Sequence, residues 1–453
     1  MVKGGFSLRI LILSASTGGG HMRTASAVEK YIEENRPNDI VRVVDTFECI
    51  GHLYNKTVSE GYEIIAKTAP GFYGAVYNHT NKDSKMTEFA SKFQKGLAFR
   101  LLPLMAEFRP DVIIGVHAFC VDMATKIKAK YNVDVPVISL ITDFAPHKMY
   151  VQDGVDAYVV SNREMIDALE KFGVKRNQIQ VSGIPIDPRF YKKYDKHELM
   201  KKMGLNPNLP TLLLMAGSFG VRDIFKIYLD IVETEIDFQV VLVTGKNKRL
   251  FDEFDAILDS TYEENDENLK SGKYDEYDSE AFAEDETITE NRESNKVYAG
   301  HCGVKPTKLL YFVDNIYEYM YIADLIVTKP GGLTVSEAIA TTLPMAIFSA
   351  YPGQEEDNAI YLEHSNMAVR LPKKNSGKVV HDLLLNPQRL EKMKEACRAN
   401  ARGNSAEQLI NLAEKLVKEY FEKEKRKSRD YSKSIIINEE DFENIDLEND
   451  NEK

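Results

Sequence analysis

At 453 residues, 43% hydrophobic and 28% charged, the chain has the length and make-up of a two-domain globular protein with some tail left over. Its net charge of −12 excludes a general nucleic-acid binder, which carries a basic face, although much of that charge is local to 252–293 and 439–452. Four scattered cysteines (Cys49, Cys120, Cys302, Cys397) have no metal-ligand spacing and fit a reducing cytosol, and with no long apolar run any membrane contact is expected to be peripheral.

The chain opens with an apolar run at 8–13 (LRILIL), as in a strand buried on both faces. SASTGGGH follows at 14–21, then a helical pattern through Ala25, Val28 and Ile32, then a second strand at 40–44. This is the β-loop-α-β opening of a doubly wound sheet. Residues 50–77 mix aromatic and aliphatic side chains with Lys56 and Lys67, which suits either interfacial insertion or a core helix and loop. A long helix is predicted over 85–108, and strands recur at 112–116, 135–141, 157–160 and 179–181.

Residues 186–210, rich in Pro, Lys and Asn, read as a linker region. The plan then restarts with a strand at 211–216, a glycine loop at 217–220, a helix at 223–235, and strands at 240–244, 309–313, 325–327 and 345–348. Residues 252–295 carry EENDEN, DEYDSE and EDETITE with few apolar residues, and are expected to form a disordered loop. A helical region is expected at 387–427 and a disordered acidic tail at 428–453. The domains are accordingly 1–185, a linker at 186–209, and 210–386 with the acidic insertion.

Five segments lie where such sheets bind ligands, at strand carboxyl ends. In the first, Gly18, Gly19 and Gly20 let backbone N–H groups approach a ligand, and His21 in the first helical turn can take a proton from a hydroxyl; a tight turn with a capping histidine is the plain alternative. In TDFAPH at 142–147, Asp143 can orient His21 or itself act as base, and His147 can line an acceptor cleft; a cap or turn serves equally. In GSFG, the N–H groups of Gly217 and Gly220 and the Ser218 hydroxyl can hold a pyrophosphate. The strongest segment is TKPGGLTVSE, where Gly331, Gly332, Leu333 and Thr334 begin a helix that forms an anion site, and Glu337 can accept two hydrogen bonds from a ribose diol. In PGQEEDN, Glu355 and Glu356 offer acceptors for sugar hydroxyls, or simply start an exposed acidic helix.

Together STGGGH, PDVIIGVHAF, TDFAPH, SGIPIDPRF, GSFG, FVDN, TKPGGLTVSEA and PGQEEDN resemble, in family order over 8–366, the diacylglycerol glycosyltransferases of glycosyltransferase family 28. The resemblance implies an α/β chain of GT-B fold, with two Rossmann-like domains facing across a cleft. It implies an N-terminal domain for acceptor and membrane, and a C-terminal domain for a UDP-hexose. It also implies inverting transfer of the hexose to a diacylglycerol hydroxyl. His21 becomes the candidate base, Gly217, Ser218, Gly220 and Gly331–Thr334 the diphosphate contacts, the backbone near Ile316 the uracil contact, Glu337 the ribose holder, and Glu355 and Glu356 the sugar holders. Phe72, Tyr73 and Tyr77 become the lipid-facing residues, on an anionic surface at the cytoplasmic side of the membrane. No cofactor or metal is expected, since the chain has no Asp-x-Asp motif. A UDP-sugar epimerase and a non-catalytic nucleotide-sugar sensor are the rival readings.

Overall fold

The computed structural model describes residues 7–16, 19–50, 98–131, 133–217, 223–263, 295–298 and 305–424. The first lobe contains β1 (Arg9–Ser14), α1 (Gly20–Asn35), β2 (Ile40–Asp45), α2 (Thr46–Ile50), α3 (Leu102–Phe108), β3 (Val112–Gly115), α4 (Ala118–Lys130), β4 (Val137–Leu140), β5 (Ala157–Val160), α5 (Glu164–Lys171) and β6 (Ile179–Val181). The strands pair in the order β2-β1-β3-β4-β5-β6, every pair parallel.

The second lobe runs through α6 (Lys196–Lys202), β7 (Thr211–Met215), α7 (Asp223–Val232), β8 (Gln239–Val243), α8 (Lys248–Glu263), β9 (Asn295–Tyr298), β10 (Thr307–Leu310), α9 (Ile316–Ile322), β11 (Leu325–Thr328), α10 (Gly332–Ala340), β12 (Met345–Ile347), α11 (Gln354–His364) and β13 (Ala368–Arg370). Its order is β13-β12-β11-β7-β8-β10-β9, parallel except for β9, which runs antiparallel along β10 at the edge. The chain then continues in α12 (Ser376–Leu384), α13 (Pro387–Asn400) and α14 (Ser405–Glu424).

Period-2 alternation explains why the central strands are apolar throughout. In β1, Ile10 and Ile12 join one core while Leu11 and Leu13 join the core on the opposite face. β7 does the same, with Leu212 and Leu214 on one side and Leu213 on the other. Each such side chain contributes about 1.5–3 kcal/mol on burial.

In both sheets the order reverses beside the first strand of the lobe. The loops after β1 and β3 therefore open on one crevice, and those after β7 and β11 on another, where ligands bind in open parallel sheets. The loops after β1, β7 and β11 carry the glycine segments.

Three expectations need correction. The acidic insertion does not begin as a loop at 252: α8 runs on to Glu263, because Leu250, Phe251, Phe254 and Leu258 recur at helical spacing and are buried in the lobe's core. The supposed linker is packed, since Ile186, Phe190, Leu199, Met200, Met203 and Leu205 all enter the core of the second lobe. The described part of the predicted helix at 85–108 turns α-helical only at Leu102, with Pro103 in its first turn, where a missing N–H is harmless. The helical region from 387 is divided into two helices near Gly403, whose φ of 69° is left-handed.

That break redirects the chain. Ala406, Leu409, Ile410, Ala413 and Val417 of α14 cover a face of the first lobe's sheet, in one core with Ile10, Ile12, Val28 and Ile114. The pairing of Arg36 with Glu414 at 2.9 Å and of Tyr420 with Asp156 ties the helix down. Residues 264–294, 50–77 beyond Ile50, and the tail at 428–453 lie outside the described residues. Among the described residues, no helix is long and apolar enough to cross a membrane.

The packing of α8 is directly testable. Phe254→Ala is expected to destabilise the protein by about 3–5 kcal/mol in chemical denaturation, as for other buried phenylalanines. A cost near zero would restore the reading of this stretch as an unpacked loop.

Candidate active site

The two lobes meet at their strand carboxyl ends. Gly332, the first residue of α10, lies so close to the first lobe that a Cβ there would collide with the Thr142 carbonyl oxygen, so glycine is required for the approach. Asn358 of α11, wholly buried, fixes the junction. Its Oδ1 accepts from the Phe144 N–H at 2.7 Å, and its Nδ2 donates to the Pro330 carbonyl at 3.0 Å and to Asp143 Oδ1 at 3.2 Å. One amide thus joins TDFAPH, TKPGG and PGQEEDN. Phe144 stacks on Tyr361 with ring centroids 5.3 Å apart and adds an apolar contact between the lobes.

His21 is the second residue of α1, which starts after a left-handed Gly19 (φ 74°). Its Nδ1 lies 3.1 Å from the Val116 carbonyl and 3.0 Å from Thr142 Oγ1. A carbonyl only accepts, so the hydrogen-bond network assigns the proton to Nδ1 and leaves the lone pair on Nε2. The His117 ring packs edge-on against His21, with centroids 4.8 Å apart. Desolvation lowers the pKa of His21 to about 4, only partly opposed by the Val116 carbonyl. His117, desolvated and beside His21, is also held well below the usual range, and its Nδ1 accepts from the Phe119 N–H. Both imidazoles are neutral at pH 7.

Asp143 is pushed up to about 6 by burial, against the pull of the Asn358 amide and with help from the charges of Glu355 and Asp357. The side-chain partner at His21 Nδ1 is Thr142, while the Asp143 carboxylate is held by Asn358.

Across the junction, Glu337 lies one turn inside α10 with its side chain 2% exposed. Its Oε1 accepts from Arg23 Nη2 of α1 at 2.6 Å, whereas its Oε2 is buried with no hydrogen-bond partner. Burial raises its pKa to about 7, with Arg23 pulling down and Asp187 pushing up. Asp187 itself, disfavoured by burial, is held down at about 2 by Arg189 and Lys30.

The other predicted residues divide. Gly217 has the left-handed φ of 80° that a turn after β7 needs, while Ser218 and Gly220 lie outside the described residues. Ile316 begins α9, and Gly331 is the N-cap of α10, with Leu333 buried and Thr334 half-buried in its first turn. Glu355 pairs with Lys329 at 3.3 Å and accepts from the Tyr351 N–H. Glu356 lies under Arg370 in a two-pronged ion pair, and this occupies both of its oxygens. His147, read as a cleft residue, is 4% exposed and accepts from the Met149 N–H as a helix cap. Phe72, Tyr73 and Tyr77 lie outside the described residues. Arg23, Thr142 and Asn358 were not assigned roles from the sequence; Asn358 and Thr142 stand within motifs, but nothing local marked Arg23. No cluster of three or more metal-ligating side chains occurs among the described residues.

Residues 21–186 match the family described as monogalactosyldiacylglycerol (MGDG) synthase, and residues 284–412 match the glycosyltransferase family 28 C-terminal domain. The chain is 27% identical over 416 residues to a processive diacylglycerol beta-glucosyltransferase of Bacillus licheniformis, spanning 88% of this chain and 93% of that one. It is 28% identical to the protein of the same name from Bacillus cereus (strain AH187), over 89% and 92% of the two chains. Among solved structures it is similar to MurG of Acinetobacter baumannii, with a TM-score of 0.56 and 13% identity over 90% of this chain and 99% of that one. That likeness shows the fold, GT-B, as expected.

The histidine environment predicts acid lability. Folding drops His21 from 6.5 to about 4, so between those values the unfolded chain binds the proton first and stability falls with falling pH. Urea denaturation at pH 7 and pH 5 should show the wild type losing up to about 2 kcal/mol more than His21→Gln. Equal losses in the two proteins would mean that the imidazole titrates normally in the fold.

Proposed function

We propose that the chain is a diacylglycerol glycosyltransferase of glycosyltransferase family 28, and that it transfers a hexose from a UDP-sugar to the hydroxyl of diacylglycerol or of a glycosyl-diacylglycerol, with inversion. The carrying observation is the facing of two half-sites across the Gly332–Thr142 junction. On one side is a neutral histidine with its lone pair on Nε2; on the other is a helix N-terminus with a buried carboxylate that has one unpartnered oxygen.

In this reading the diphosphate lies at the N-terminus of α10, where the first N–H groups have no intrahelical partners. The ribose diol hydrogen-bonds to Glu337, with Gly217, Ser218 and Gly220 beside the phosphates and the backbone at Ile316 beside the base. Glu355, held by Lys329, takes the sugar; Glu356 contributes once Arg370 yields it. The lipid oxygen attacks the anomeric carbon as its proton passes to His21 Nε2. The bond from that carbon to the phosphate oxygen breaks on the opposite face, and UDP leaves with its charge stabilised by the helix N-terminus. Asp143 supplies a negative charge near the imidazolium. The names of the curated relatives favour glucose as the hexose and favour transfer over epimerisation.

Incubation with UDP-glucose or UDP-galactose and diacylglycerol vesicles is expected to give glycolipid and UDP. His21→Ala should lower kcat by about 10²–10⁴-fold, as for a lost general base. The acid limb of kcat/KM should fall near pH 6 and move down toward pH 4, the His21 limb, in Asp143→Asn. An altered free UDP-sugar formed without lipid would make the protein an epimerase instead.

We further propose that residues 50–77 contact an anionic membrane at the cytoplasmic face, with Phe72, Tyr73 and Tyr77 inserting. Flotation with anionic vesicles should lose the protein when all three are replaced by Ser; unchanged flotation removes them from the membrane surface.

A further inference from the structure

We propose that Arg23 is a donor-binding residue: its guanidinium rests on Glu337 in the donor-free protein and passes to the donor's diphosphate when the ribose takes Glu337. This rests on the donor site argued above and adds to it a residue of the opposite lobe.

The geometry of the pair is lopsided. Arg23 is 49% exposed while Glu337 is 2% exposed, so the carboxylate is sunk in the second lobe and the arginine reaches it from the cleft. Only Oε1 is taken, and Oε2 is buried without a partner. A ribose diol offers two hydroxyl donors to this carboxylate, and it reaches both oxygens only if Arg23 withdraws from one. Diol binding therefore gives the buried oxygen its missing hydrogen bond and displaces the arginine.

The displaced group has a suitable destination. Glu337 lies five residues, a rise of about 7.5 Å, inside the helix whose N-terminus faces the phosphates. A guanidinium within hydrogen-bond distance of Glu337 is therefore within a side-chain rotation of them. Its base is close as well, since Gly20, three residues earlier, stands against Leu333 of the same helix start. The planar fork of arginine matches two phosphate oxygens, which carry more charge than a single carboxylate.

The neighbouring cations are committed elsewhere. Lys30, further along α1, pairs with Asp187 at 3.1 Å, and Arg189 holds Asp187 through two bonds while lying over the Tyr317 ring. Among the described residues, Arg23 is thus the cation of this group whose partner is the same carboxylate the donor is to occupy.

Calorimetric titration of the full chain with UDP and with uridine tests the exchange. Uridine carries the diol without phosphates, so Arg23→Met should leave uridine binding unchanged or several-fold tighter. The same variant should weaken UDP by about ten- to a hundredfold. Arg23→Lys, which keeps the charge but not the fork, should fall between. Equal weakening of UDP and uridine, or unaltered UDP binding, overturns the proposal and leaves Arg23 a structural tie. A folded wild type that binds neither compound overturns the donor site and this proposal together.

Discussion

The whole site depends on a backbone contact that only glycine allows. Gly332 sets the start of a second-lobe helix against a first-lobe carbonyl, and the Asn358 amide locks the same place from the side. A Cβ at 332 would meet the Thr142 carbonyl oxygen at 2.0 Å, so any larger residue there forces the two segments apart. Then His21 and Glu337, on separate lobes, no longer share a cleft. The apolar stack of Phe144 on Tyr361 and the Arg23–Glu337 pair follow from this approach rather than create it.

Closeness also sets the electrostatics. Desolvation is the leading cause of the shifts at His21, Asp143 and Glu337, and each is moved toward its neutral form. The junction is therefore a poor place for isolated charge and a strong place for charge that has oriented dipoles to meet it. With the imidazoles neutral, the helix N-termini and the Arg23 guanidinium are left as sources of positive potential in the cleft. That balance suits a reaction in which negative charge grows on a departing diphosphate.

Much of this was legible in the sequence for a physical reason. Parallel strands buried on both faces are short apolar runs, and a glycine segment after such a run marks a strand's carboxyl end. The runs at 8–13, 211–216 and 325–327 therefore placed His21, Gly217 and Glu337 correctly at sheet crevices. Pairings between distant segments were not legible. Nothing around Arg23 shows that it will meet a residue 314 positions away, and the capping role of His147 depends on a turn whose geometry the letters do not carry. Composition misled where charge outnumbered a thin apolar stripe: Phe254 and Leu258 continue the stripe begun by Leu250 and Phe251 into a stretch with few apolar residues. It misled again at 186–209, where proline and lysine concealed six core residues.

The return of α14 has a consequence for how the chain matures. The sheet of the first lobe is complete by Val181, yet one of its faces is covered by residues as late as Val417. During synthesis the part of that face beside α1 that α14 covers stays bare while the entire second lobe is made. The lobe that emerges first from the ribosome is thus the last to be finished, and a chain cut just before the final helix leaves the second lobe whole but the first partly unroofed.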